Sequence, residues 1–144
     1  MLILLNNYWD KESMKRLLAE CMTADDAEIE KELEQYAAEE SGKLLGLFIA
    51  GELAAIVGIR ADGGEMEIRH LAVQAKWRGK GIGSSIIEEL LRCPGITALR
   101  AETDRKAAGF YRRAGFAVVS LGDEYSGVER YDCILAIADE AISC

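Results

Sequence analysis

HLAVQAKWRGKGIGSSIIEELLR, residues 70–92, decides how the rest of this chain is read. Leu71, Ala72 and Val73 close a strand-like apolar run, residues 74–78 form a polar connection, and glycine stands at positions 79, 81 and 83. Ile82, Ile86, Ile87, Leu90 and Leu91 then recur at helical spacing until Cys93-Pro94-Gly95 stops them. Residues 96–101 read as a second strand. Strand, helix and strand in this order make a crossover unit, which predicts two parallel strands with a right-handed connection.

Toward the N-terminus, residues 44–50, 53–60 and 65–73 are strand-like. The hairpin signals between them, Gly51-Glu52 and Ala61-Asp62-Gly63-Gly64, predict antiparallel neighbours. Two amphipathic helices precede these strands. Asp10 is placed to cap the first, with Met14, Leu17, Leu18 and Cys21 on one face; Thr23-Ala24-Asp25-Asp26 resembles a capping box for the second, whose stripe is Ile29, Leu33, Tyr36 and Ala37. Toward the C-terminus, residues 104–114 read as a short helix ended by Gly115, at a position suited to a left-handed cap. Residues 116–121 and 130–137 add two antiparallel strands joined by the loop 122–129. The expected fold class is α+β: a mixed, mostly antiparallel sheet with a central parallel crossover, flanked by helices, in a single domain spanning residues 1–144.

Composition narrows the function classes. The apolar first five residues fall far short of the ~18 that span a bilayer and lack signal-peptide flanks, so a soluble, cytoplasmic protein with no membrane partner is expected. Cys21, Cys93, Cys133 and Cys144 form no C-x-x-C pair and His70 is the sole histidine, so neither a metal nor a histidine-based triad is expected. The net charge of −8 argues against nucleic acid, whose phosphates need neutralising, and is compatible with a cationic small molecule or peptide. Acids crowd one segment, from Glu20, Asp25, Asp26 and Glu28 through Glu30, Glu32 and Glu34 to Glu39 and Glu40, against Lys31 alone. They form either a solvated helix face or a patch that steers a cationic substrate.

The glycines raise the chemical question. They precede a helix, where unpaired N–H groups and the positive end of the macrodipole make an anion site, and they let the backbone turn sharply and approach a phosphate. Arg78 and Lys80 add positive charge. A Walker loop needs G-x-x-x-x-G-K-[ST], which does not occur. A dinucleotide fingerprint fits better, with Gly79-Lys80-Gly81 and an acid, Glu102, about 20 residues on. Ser84 stands where its last glycine belongs, however, and residues 74–78 separate the glycines from the strand.

Arg78-Gly79-Lys80-Gly81-Ile82-Gly83 resembles the Q/R-x-x-G-x-G/A signature of the GNAT superfamily of N-acetyltransferases, and Leu71-Ala72-Val73 is similar to the end of that family's fourth strand. Downstream, Asp104, Ala107, Phe110, Tyr111, Gly115 and Phe116 match the family's N-x-x-A-x-x-L/F-Y-x-x-x-G-F segment at the same spacing. Two spaced motifs carry the resemblance strongly over residues 65–116.

The resemblance implies an acetyl-CoA-dependent enzyme that transfers acetyl to a primary amine in a direct ternary complex, with no cysteine nucleophile. The pyrophosphate would lie on the N–H groups from Arg78 to Ser84, Ile82 and Gly83 included. The fourth and fifth strands of the family splay apart, and the backbone groups so released, here those of Leu71 and Val73, would pair with pantetheine and the acetyl carbonyl, aiding the oxyanion. Tyr111 matches the usual proton donor to the thiolate, as a phenol with a pKa of ordinarily ~10 can be. Asp104 stands where the family more often has an Asn that touches the pantetheine arm; it can accept but not donate. For the base, Glu67 lies six residues before Val73, as in histone-acetylating relatives, though it alternates with Arg69 and could pair with it. The acid that other relatives carry five residues before the Asn position is Leu99 here, and Glu102, His70 or a water chain are the fallbacks. The resemblance also implies an acceptor pocket shaped by residues 10–40 and 122–129, and a homodimer through residues 44–50 or the last strand. A non-catalytic acyl-CoA-binding or regulatory domain is the competing class.

Overall fold

The structure, a computed structural model, describes residues 1–6, 8–22, 24–38, 42–122 and 129–137. Its elements run β1 (Leu2–Leu4), α1 (Lys11–Cys21), α2 (Asp26–Ala37), β2 (Lys43–Ile49), β3 (Glu52–Asp62), β4 (Glu65–Val73), a 3₁₀ turn (Ala75–Trp77), α3 (Ile82–Leu91), β5 (Ala98–Asp104), α4 (Arg105–Arg113), β6 (Ala117–Gly122) and β7 (Arg130–Ala136). The seven strands are ordered β1-β2-β3-β4-β5-β7-β6. β4 and β5 are parallel, as the crossover predicts, and the β1–β2, β2–β3, β5–β7 and β6–β7 pairs are antiparallel. The expected α+β class with a central parallel pair is what the chain adopts.

The chain divides into two compact units, Met1–Arg60 with Arg69–Leu90, and Ala61–Ile68 with Leu91 and the chain that follows. In the first, α1 and α2 lay Met14, Leu17, Leu18, Ile29 and Tyr36 against Leu44 of β2, Leu53 and Ile56 of β3 and Ala72 of β4. Each Leu, Ile or Met side chain so buried contributes about 1.5–3 kcal/mol. Asp10 caps α1 as expected, accepting from the Ser13 N–H at 3.2 Å. The second helix departs from expectation. Its cap is Asp25, which accepts from the Glu28 N–H at 2.8 Å, so the acid-x-x-Glu pair begins two residues after Thr23, which lies outside the described residues. The β2–β3 turn consists of Ala50 and Gly51, both left-handed at φ 53° and 79°, which is the geometry a two-residue hairpin needs.

In the second unit α4 packs on β5, β6 and β7, and Leu99, Ala101, Ala108, Tyr111, Phe116 and Cys133 are buried. Two features of the sheet go beyond what local spacing predicts. Leu2–Leu4, a short apolar run in the sequence, is a strand that covers the outer edge of β2, and β7 lies between β5 and β6. Residues 44–50 and the last strand are therefore interior, and β1 and β6 are the edges. Among the described residues no helix is long and apolar enough to cross a membrane.

Candidate functional site

The glycine loop belongs to the first unit. Gly79 and Gly81 are left-handed, at φ 75° and 79°, and a Cβ placed on either would meet nothing within 4 Å. Backbone conformation, not crowding by the protein, demands glycine there, and the space that a Cβ would enter stays open. Gly83 differs: it lies in the first turn of α3 and is not left-handed. The first backbone bond of α3 runs from the Ser85 N–H to the Gly81 carbonyl at 3.0 Å, so the N–H groups of Ile82, Gly83 and Ser84 come before it and have no intrahelical acceptor. Gly81, lacking a side chain, cannot cap them. Lys80 is exposed beside them.

Arg78 stands differently from expectation. Its backbone N–H bonds to the Ala75 carbonyl at 3.2 Å, closing the 3₁₀ turn, so the open N–H run starts after it. Its Nε donates to the Val73 carbonyl at 2.9 Å and its Nη2 to the Glu20 carboxylate on α1. Val73 ends β4 beyond the parallel ladder, which joins only Glu65–Ile68 to Ala98–Ala101 although β4 continues to Val73 and β5 to Asp104. Leu71 lies in the same stretch beyond the ladder, near Cys21 of α1, whose thiol donates to the Leu18 carbonyl at 3.5 Å. Burial pushes that thiol up to about 11. Ala72 turns the other way, into the core of the unit.

The sequence pattern does not reveal a polar cluster between α2 and β4. The Tyr36 hydroxyl lies 2.6 Å from His70 Nδ1, and a Cβ on Gly58 would fall 2.0 Å from that hydroxyl, so the glycine makes room for it. Arg69 pairs with Glu32 at 2.6 Å and lies over the Tyr36 ring. Burial raises the Tyr36 pKa and lowers that of His70, keeping both neutral near pH 7. If the protonated phenol donates to Nδ1, the imidazole proton is left on Nε2, where His70 donates instead of accepting. The acidic segment is also largely engaged: Glu20 pairs with Arg78, Asp26 and Glu30 with Lys15, and Glu32 with Arg69. Only contacts between distant segments reveal these partners.

The second unit holds the remaining candidates. Asp104 is the N-cap of α4, its Oδ1 accepting from the Ala107 N–H at 2.9 Å. One oxygen of the carboxylate expected at pantetheine thus also caps its own helix, and the N–H of Ala107 is its donor. Tyr111 is buried between Phe110 and Phe116, each ring 5.1 Å away and edge-on. A Schellman motif at the helix end fixes it: the Phe116 N–H bonds to the Tyr111 carbonyl at 3.0 Å, the Gly115 N–H to the Arg112 carbonyl at 3.2 Å, and Gly115 has φ 101°. Glu67 is exposed and lies across the ladder from Arg100, which is held bidentately by Asp132 at 3.0 and 3.1 Å. Glu102 is exposed, 3.5 Å from Arg130. Leu99 is fully buried. The base of the last loop is knotted by Glu129, whose carboxylate accepts from Ser120, Tyr131 and Arg105 and is held down at about 2 by those bonds; residues 123–128 of the expected acceptor loop lie outside the described residues.

An open helix N-terminus preceded by left-handed glycines, in a mixed sheet with a parallel pair of strands, is the arrangement that the comparisons with known proteins bear on. Residues 34–118 match the Acetyltransferase (GNAT) domain family, so this chain belongs to the GNAT acetyltransferases, N-acetyltransferases acting on amines. It is 29% identical over 132 residues to the N-alpha-acetyltransferase RimI of Mycobacterium tuberculosis, covering 85% of this chain and 84% of that protein. It shares its fold with the ribosomal-protein-S18-alanine N-acetyltransferase of Escherichia coli, at TM-score 0.73 and 17% identity over 97% and 96% of the two chains. An aminoglycoside 6'-N-acetyltransferase complexed with coenzyme A gives TM-score 0.78 and 16% identity over 97% and 98%. Those two proteins act on unlike acceptors, so the shared fold leaves the acceptor open.

Proposed function

We infer that this chain transfers acetyl from acetyl-CoA directly to a primary amine of a small molecule or peptide, within one domain. The loop carries the reading: left-handed Gly79 and Gly81 opening onto the unpaired N–H groups of Ile82, Gly83 and Ser84 suit a pyrophosphate, with Lys80 adding charge. The coenzyme's thioester supplies an activated acyl carbon. Leu71 and Val73, at the end of β4 beyond the parallel ladder, would pair through their backbone groups with the acetyl carbonyl and steady the oxyanion. Tyr111 would give its proton to the departing thiolate. Glu67 would take the proton of the attacking amine, a role that Leu99 cannot fill and that His70, if protonated at Nε2, cannot fill either. Acceptor preference for a cationic amine would rest on the acids left exposed, such as Glu28 and Glu34. A cytoplasmic location and a homodimer through the edges β1 or β6 belong to the same reading.

Titration calorimetry with acetyl-CoA, with NAD as control, tests the donor. Binding of acetyl-CoA alone supports the reading, and binding of neither would remove it. On an amine that turns over, Tyr111→Phe should lower kcat while acetyl-CoA affinity stays; unchanged kcat would sink the donor role.

A further inference from the structure

The guanidinium of Arg78, which the motif would point at a phosphate, is engaged elsewhere in this structure. Nε holds the Val73 carbonyl at 2.9 Å and Nη2 holds Glu20 of α1. Val73 lies five residues beyond Ile68, the last residue of β4 in the parallel ladder, so its carbonyl lacks a β5 partner and needs one. A planar fork with two donor directions can serve a carbonyl and a carboxylate at once, and a lysine ammonium cannot reproduce that geometry. Glu20 lies in the last turn of α1, so that turn is tied to the strand end through Arg78.

We propose that Arg78 is a positioning residue: clamped by Glu20, it sets the end of β4 beyond the β5 ladder, Leu71 to Val73, and leaves the pyrophosphate to the loop's N–H groups and Lys80. This rests on the acetyl-CoA reading and deepens it by dividing the site into an anion half and a strand half.

The two roles open to Arg78 give opposite signs. If Glu20 holds Arg78 in place, Glu20→Gln weakens acetyl-CoA binding; if Arg78 is a phosphate ligand held back by Glu20, the same change tightens it. Calorimetry with acetyl-CoA and with inorganic pyrophosphate, on wild type, Glu20→Gln, Arg78→Lys, their double variant and Lys80→Gln, separates them. Glu20→Gln and Arg78→Lys should each weaken acetyl-CoA roughly threefold to fivefold, with the double variant no worse than either alone, as expected of one ion-pair unit. Pyrophosphate affinity should hold in those three and fall in Lys80→Gln. Tighter binding by Glu20→Gln, wild-type acetyl-CoA affinity in Arg78→Lys, or loss of pyrophosphate in Arg78→Lys would each overturn the proposal. So would a lowered urea midpoint with acetyl-CoA affinity unchanged, which is the mark of an ordinary surface ion pair. Failure of the wild type to bind acetyl-CoA would instead remove the reading beneath it.

Discussion

The N-termini of α3 and α4 follow strands and lie in segments that carry the family's motifs, yet they are finished in opposite ways. At α4, Asp104 accepts from the Ala107 N–H, and the far end is closed by Gly115 and the ring contact of Phe116 with Tyr111. At α3, the residue in the capping position is Gly81, which has no side chain, and three N–H groups are left open behind it. A helix with a side-chain cap at its start holds its own first turn; one without a cap offers those N–H groups to something else. The same residue type serves both. Gly115 ends a helix and Gly81 exposes one, and each does so because its φ is positive.

The contrast breaks first at Gly81. Gly81→Val forces a β-branched residue to φ 79°, a strain of about 1–3 kcal/mol, so the unfolding midpoint should fall. The side chain also enters the open space beside the loop, and acetyl-CoA affinity should drop roughly tenfold to a hundredfold, the scale of one lost charge-assisted hydrogen bond. Calorimetry on the folded variant checks this, and unaltered affinity would refute the anion role of the loop. At α4 the expected effects are on stability. Asp104→Ala should cost about 1 kcal/mol, and Asp104→Asn much less, since Asn caps as well. Gly115→Ala should cost about 1 kcal/mol for the left-handed cap. Urea titrations read both, and a loss of acetyl-CoA affinity in Asp104→Asn would show that the carboxylate also meets the cofactor.

The smallest effect concerns the strand that leads into the loop. Burial holds the pKa of His70 below its ordinary value, outweighing the opposing pull of Glu32, while Arg69 adds to the lowering. The unfolded chain therefore takes up a proton before the folded one as pH falls, so this contribution is intact above about pH 6.5 and is lost below it. Unfolding midpoints from pH 8 to 5.5 should decline with a slope that His70→Gln flattens. An unchanged slope would mean that other groups set the pH dependence.

Much of this was legible in the chain itself. Periodicity located four helices and six of the seven strands, because Ile82 to Leu91 or Leu53 to Arg60 carry their burial pattern in local spacing. The cap residues Asp10 and Gly115 were legible for the same reason, since a cap acts within four residues. Leu2–Leu4 was not: three apolar residues become a strand only because β2 offers an edge. Arg78 and Asp104 were assigned by motif position to the cofactor, and the structure gives them partners within the chain, Glu20 with Val73 and the Ala107 N–H.

The sequence by itself therefore determined the elements, the parallel crossover and the glycine loop, all of which depend on residues a few positions apart. Only the tertiary structure decided that β7 enters beside β5, that His70 meets Tyr36 in the space left by Gly58, and that acids of α1 and α2 are spent on Lys15, Arg69 and Arg78. Those are contacts between segments distant in the chain. Local spacing carries the backbone's preferences, but a hydrogen bond or an ion pair needs its partner, and folding alone brings the partner within reach.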